Sequence, residues 1–272
     1  MLSVIIPASN EQDYIGPCLS ALFASRLMGA EVVVVANGCR DATAERAKAM
    51  QGQAKTAGWA LTVVELTQGS KPNALNQGDA TARGDIRVYL DADVVVSPAL
   101  MAQLWTALKA DRPLYATGTP HIPRARSMVT RAYARFWQRL PFTQLVAPGY
   151  GLFAVNAKGR ARWGAFPAII SDDTFVRLQF TPEDRVQTPA TYDWPMIEGF
   201  AALIRVRRRQ DAGVAEIAQL YPDLLVREGK PRLRKTQLIG LALRDPVGFV
   251  VYGAVSLAVR LKPATSSWTR GR

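Results

Sequence analysis

The chain has 272 residues, 49% of them hydrophobic and 21% charged, which is enough apolar sequence to bury a sizeable core and too much for a disordered chain. Its formal net charge of +12 favours anionic partners, whether nucleotide diphosphates, acidic lipid headgroups or nucleic acid. Two cysteines, Cys18 and Cys39, and one histidine, His121, exclude a structural zinc site and make a poor disulfide framework, so a reducing, cytoplasmic setting is expected.

In chain order, the opening MLSVIIPASNE has no basic stretch, no long apolar segment and no small-residue cleavage site, so no secretory leader is expected. Residues 2–6, 31–35, 61–65 and 86–90 are short β-branched runs without polar alternation, the pattern of buried parallel strands. Between them, residues 13–26, 41–57 and 71–83 have helical composition, each stretch opened by a polar residue such as Asp13, Asp41 or Ser70. Repeated βαβ units predict an α/β fold with a doubly wound, mostly parallel sheet, which binds nucleotides at the carboxyl ends of its strands.

Beyond residue 95 the pattern predicts a helix near 97–110, a strand near 114–118, a basic helix near 127–139 and a Gly/Pro-rich segment at 147–167. A helix opening near Asp172 and a longer one over 195–210 follow. The tail holds two apolar runs, 238–243 and 247–261, each too short to span a bilayer. Residues 205–272 carry fourteen Lys and Arg against five Asp and Glu, so the basic charge concentrates there. Flanked by Arg232, Arg234, Lys235, Arg244, Arg260 and Lys262, these runs fit interfacial helices on anionic lipid, and equally a helix packed on the catalytic domain or a homodimer contact. Peripheral attachment to the inner face of a membrane is one expected location. No helix-turn-helix, zinc-finger or RNP-type signature is present, so nucleic acid is not an expected partner.

Chemistry concentrates at Asp91-Ala92-Asp93, placed directly after the apolar run 86–90. Two carboxylates one residue apart at a strand end can hold a hard cation such as Mg²⁺ or Mn²⁺ against diphosphate oxygens; a solvated acidic turn has the same sequence. Lys71, in Gly69-Ser70-Lys71-Pro72-Asn73-Ala74-Leu75-Asn76, enters a predicted helix N-terminus where an anion is favoured, or is an ordinary surface lysine. Ser171-Asp172-Asp173-Thr174 supplies either a general base or a helix cap.

These motifs, with the turn Pro7-Ala8-Ser9-Asn10-Glu11 after the first strand, resemble glycosyltransferase family 2 over about residues 2–210. The resemblance implies a GT-A fold: a mixed, mostly parallel sheet flanked by helices, with a C-terminal helical extension. It implies a catalytic domain over 1–225, divided into a nucleotide-sugar half, 1–95, and an acceptor half, 96–225, with the extension at 226–272. The implied activity is metal-dependent, inverting transfer from a nucleotide-diphosphate sugar to a glycan or lipid-linked acceptor. By the same resemblance Pro7, Ala8, Asn10, Glu11, Asn37, Asp41, Lys71, Asp91 and Ala92 bind the donor. Asp93, Asp91 and His121 are candidate metal ligands, and Asp173 is the base. Tyr150, Asp172, Arg207 and Arg208 serve the acceptor or the diphosphate.

The chain departs from the family at Ala36-Asn37-Gly38-Cys39-Arg40-Asp41-Ala42-Thr43, where members usually read D-D-G-S-x-D-x-T. The two leading acids are missing, which leaves the nucleotide open and gives an inactive scaffold its best support. Arg207-Arg208-Arg209-Gln210 matches the Q-x-x-R-W motif of processive relatives only in part, with no Trp. A nucleotidyltransferase would carry a Gly-rich loop after the first strand, and residues 7–11 have no glycine.

Overall fold

The structure, a computed structural model, describes residues 1–229, 231 and 233–261. It divides into two compact units: Met1–His121 with Ala147–Ala168 and Asp172–Trp194, and Ile122–Val146 with Ile169–Ser171 and the described part of Pro195–Arg272.

The first unit is built on an eight-stranded mixed sheet. Its strands are β1 (Leu2–Ala8), β2 (Glu31–Asn37), β3 (Ala60–Leu66), β4 (Ile86–Leu90), β5 (Val95–Val96), β6 (Tyr115–His121), β7 (Leu152–Asn156) and β8 (Arg185–Asp193). The spatial order is β3-β2-β1-β4-β7-β6-β8-β5. β3, β2, β1 and β4 run parallel, and β7 returns antiparallel between β4 and β6. Helices α1 (Ile15–Phe23), α2 (Thr43–Ala49), α3 (Gln51–Thr56) and α4 (Lys71–Thr81) connect the parallel half, and α5 (Leu100–Leu108), α7 (Ala157–Arg160) and α8 (Asp172–Arg177) belong to the rest.

The β-branched runs of β1 and β2 bury both their faces, as strands covered by helices on each side must. Val4, Ile6, Val32 and Val34 pack with Ile15, Leu19 and Leu22 of α1, each such side chain contributing roughly 1.5–3 kcal/mol by leaving water. β3 differs from the expectation: as the edge strand it alternates, with Leu61 buried and Thr62 and Glu65 exposed. Two further differences concern helices. The stretch 41–57 is two helices meeting at Met50, and the helix expected over 195–210 is α9 (Phe200–Leu220), which starts after Gly199 at φ +90° and continues through Gly213. β8 is an element the sequence did not announce.

The second unit is helical. It comprises α6 (Met128–Trp137), α9, α10 (Lys235–Arg244) and α11 (Pro246–Leu261). α6 and α11 meet in an aromatic cluster in which Tyr252 lies 5.4 Å from Tyr133 and 5.3 Å from Phe136, centroid to centroid, and Leu203 of α9 packs against it. Asp245, buried between α10 and α11, accepts from Arg135, Arg139 and the Gly248 N–H, and so caps α11 while using its charge internally. Both apolar tail runs are therefore helices. Arg232 and Lys262 lie outside the described residues. Among the described residues no helix is long and apolar enough to cross a membrane.

Candidate active site

The carboxyl ends of the parallel strands bring four sequence segments together. After β1, Asn10 adopts φ +54° and its Oδ1 accepts from the Arg40 N–H at 2.6 Å. Glu11 N–H donates to Thr43 Oγ1 and Gln12 N–H to Asp41 Oδ2, while Gln12 Oε1 accepts from Ala42 N–H. The Asn-Glu turn and the turn after β2 are thus clasped to each other. Burial alone pushes the Asp41 carboxyl up, but hydrogen bonds from the Thr43 hydroxyl and the Gln12 and Thr43 N–H groups hold it below the usual aspartate range.

Asn37 is 3% exposed, and its amide is used on backbone: Nδ2 donates to Ala8 O at 2.9 Å, and Oδ1 accepts from Ser70 N–H at 3.0 Å. This ties the ends of β1 and β2 to the loop entering α4. The same approach explains Gly38, at φ +58°, where a Cβ would stand 2.5 Å from Gly69 N. Asn37 therefore acts as a backbone strut in this structure, a role that only its position after a buried strand hinted at.

Ser70 caps α4 by accepting from Asn73 N–H, which places Lys71 in the first turn at the positive end of the helix. Lys71 Nζ lies 3.0 Å from Asp91 Oδ1 and 3.2 Å from Asp172 Oδ1. Burial works against the ammonium, but Asp172, Asp91 and Asp173 outweigh it and hold Lys71 well above the ordinary lysine range, so it is always charged. Asp91 extends the β4 edge, donating its N–H to Gly151 O at 2.9 Å. Between the two aspartates Ala92 is 4% exposed and joins the core. Pro7, Lys71, Asp91, Gly149, Asp172 and Asp173 line one cleft. Cys18 lies beneath it, its Sγ 4.0 Å from Asp91 O; burial first, then the charges of Asp93, Asp91 and Glu11, push the thiol up and keep it protonated.

The excess of carboxylate over ammonium has a measurable signature at Asp172. Burial, reinforced by Asp173 and Asp91 and only partly offset by Lys71, pushes its carboxyl up to about 6. Its folded value thus exceeds the roughly 3.9 of an unfolded chain, so the folded state binds the extra proton between those values, and stability rises as pH falls through 6 and levels off near 4. Asp172→Asn, which keeps a carbonyl for Lys71, is expected to stabilise the protein at pH 8 by about 1–3 kcal/mol, with about half the advantage left at pH 5 and little of it below about pH 4. Melting temperatures of both proteins across that range check this; a less stable variant at pH 8 contradicts it.

Among the described residues no three His, Cys, Asp or Glu side chains form a ready-made metal cluster. The donor set nonetheless fits a hard divalent cation, because Asp91 and Asp93 offer carboxylate oxygens in a region where negative charge is in excess. Mg²⁺ or Mn²⁺ held by these two residues would keep most coordination positions for other oxygens. His121 is instead paired with Asp193, Nδ1 to Oδ1 at 2.6 Å, on the ends of β6 and β8.

Tyr150 stacks on Trp194, with centroids 5.1 Å apart and planes at 23°. The preceding Gly149 has φ +76°, and a Cβ there would come within 1.9 Å of Tyr115 Oη. That hydroxyl is buried without a hydrogen-bond partner among the described residues, and burial pushes it up, so it remains a proton-bearing donor. Tyr115, Trp194 and Asn76 were not among the residues singled out for a role by sequence. Asn76 locks α4 to the Phe166 backbone, accepting from its N–H at 2.7 Å and donating to its carbonyl at 3.2 Å. In the second unit Arg207 donates to Tyr133 and Tyr252 and pairs with Asp211, while Arg208 donates to the carbonyls of Ala258 and Val259 near the end of α11.

The family model described as glycosyl transferase family 2 matches residues 3–159, more than half of the chain and all the segments above up to Asp93. The chain belongs to glycosyl transferase family 2. It is similar to the uncharacterized glycosyltransferase EpsJ of Bacillus subtilis strain 168, 29% identical over 104 residues. The match covers 38% of this chain and 29% of EpsJ, less than a third of that relative's length. Among solved structures, mannosyltransferase PcManGT from Pyrobaculum calidifontis, in complex with GDP-Man and Mn²⁺, superposes with a TM-score of 0.60 at 21% identity, over 97% of this chain and 76% of that one. S. aureus TarS 1–349 in complex with UDP-GlcNAc gives 0.57 at 15% identity, over 95% and 81%. The family and these structural likenesses identify the fold as GT-A.

Proposed function

We propose that the protein is an inverting glycosyltransferase that moves a sugar from a nucleotide-diphosphate donor to a hydroxyl of a glycan or lipid-linked acceptor. The observation that carries this reading is Lys71 in the first turn of α4, within salt-bridge distance of both Asp91 and Asp172. It joins the carboxylate-bearing strand end matched by the family model to an acidic pair that lies beyond the matched residues. The GDP-Man and UDP-GlcNAc held by two solved relatives support a donor of this class.

In this reading Pro7, Ala8, Asn10, Glu11, Asn37 and Asp41 shape the nucleotide side. The two clasped turns form a stiff wall, with Asn37 acting through the backbone it holds. Lys71 and the α4 N-terminus attract the diphosphate, and Asp91 and Asp93 would hold Mg²⁺ or Mn²⁺, which when bound supplies charge to offset that building on the leaving group. Asp173 accepts the proton of the acceptor hydroxyl as its oxygen forms a bond to the anomeric carbon and the bond from that carbon to the diphosphate oxygen breaks. Asp172, fixed to Lys71, positions α8 and its neighbour Asp173. Tyr150, backed by Trp194, offers an aromatic surface to the acceptor.

Attack from the face opposite the leaving group requires inversion. Product formed from an α-linked donor is expected to carry a β-linkage, read from the anomeric proton coupling by NMR; an α-linked product contradicts the single-displacement mechanism. The partner proposed beside the donor and acceptor is an anionic membrane surface, with the enzyme working at its cytoplasmic face.

A further inference from the structure

The second unit exposes apolar side chains on α10 and α11 that its own packing does not use. On α11 one side is committed inward: Val255 is fully buried, and Val251, Tyr252 and Val259 pack with Tyr133 and Leu203. The other side is open. Val247, Val250, Leu257 and Leu261 are 62%, 65%, 59% and 73% exposed. At 100° per residue they fall in one stripe about 80° wide. On α10, Ile239 and Leu243, one turn apart, are 60% and 79% exposed. No charged residue occurs from Pro246 to Val259. A solvent-facing helix normally carries charge on such a side, so this face has an apolar counterpart.

The charges at its ends identify which. Arg234, Lys235 and Arg244 at the α10 end and Arg260 at the α11 end are all exposed. Asp245, the acid nearest α11 in sequence, is buried and paired with Arg135 and Arg139. A second copy pairing through this stripe would set Arg260 against Arg244 when antiparallel and against Arg260 when parallel, with like charges meeting in both cases. A surface of phosphates meets both ends favourably. α11, with 16 residues, rises about 24 Å, short of the roughly 30 Å hydrocarbon core, so it suits lying in the interface rather than crossing it.

We propose that α10 and α11 dock in the plane of an anionic lipid bilayer, with the apolar stripe at the headgroup–acyl boundary and the four basic side chains on lipid phosphates. This deepens the membrane reading above and rests on it only for its purpose, bringing the enzyme to a lipid-linked acceptor. Binding is read without donor or transfer, so failure here and failure of the catalytic reading are separate results.

The test is sedimentation of the full chain with vesicles of phosphatidylcholine alone or containing about one third phosphatidylglycerol. Partitioning is expected to be at least about tenfold stronger on the anionic vesicles and to weaken as salt rises from about 0.1 to 0.5 M. Val250→Asp with Leu257→Asp, both exposed, is expected to keep the melting temperature and lose at least about tenfold in partitioning. Absence of wild-type binding, or unchanged binding by the double variant, overturns the proposal. So does a lipid-free dimer that the double variant dissociates, which would make the stripe a contact between copies.

Discussion

Asp173→Asn is expected to lower the transfer rate about 10²- to 10⁴-fold while donor affinity stays within about twofold of wild type, the range a positioned general base contributes. The substitution is nearly isosteric. The Asp173 Oδ1 accepts from the Thr174 N–H at 2.6 Å, and an Asn carbonyl can do the same, so the start of α8 survives. What is lost is the capacity to take a proton. Because Asp173 is not one of the two carboxylates that bond Lys71, both ion pairs of Lys71 remain when its charge is removed. Single-turnover transfer and donor titration, run on the same preparation, separate the two effects. Wild-type transfer by the variant removes Asp173 from the base position, and loss of donor binding in parallel would assign it to the donor side.

The parallel half of the sheet was legible because burial on both faces favours what the sequence shows, short runs rich in Val and Ile at residues 2–6 and 31–35. Motifs at the ends of these strands were legible for the same reason: Asp91 directly follows an apolar run, and Ser70 precedes a helix whose first residue is Lys71. β8 was not legible. Its sequence RVQTPATYD is polar and contains Pro189, and its place in the sheet comes from pairing with β6 across some seventy residues. β3 alternates because α2 and α3 pack on the face that carries Leu61 while Thr62 and Glu65 stay exposed, an arrangement that a five-residue window does not carry.

The site divides in the same way. Residues whose chemistry is carried by their own side chains, Lys71, Asp91, Asp172 and Asp173, could be proposed from motif order, and the structure gathers these four in one cleft. Asn37 could be named but its partners could not, because Ala8 O and Ser70 N–H come from chain segments twenty-nine and thirty-three residues away. Tyr115 and Trp194 carried no signal: one lies in a buried strand and the other follows an unpredicted one, and their relevance arises from where Gly149 and Tyr150 bring the chain.

The central claim is that the carboxylates at the end of β4 make donor binding cation-dependent, and a thermal-shift panel of UDP-, GDP- and dTDP-sugars with and without Mn²⁺, on wild type and Asp93→Ala, tests it most directly. A bound donor at about 100 times its Kd stabilises the folded state by about 2.7 kcal/mol, enough for a shift of several degrees in a chain of this size. The account predicts such a shift for wild type with one nucleotide class, only when Mn²⁺ is present, and its loss in Asp93→Ala, whose own melting temperature is close to that of wild type. A donor shift of equal size without Mn²⁺, or one retained in Asp93→Ala, contradicts the claim, and a well-folded wild type that responds to no donor would mark the site as an inactive relic of the family.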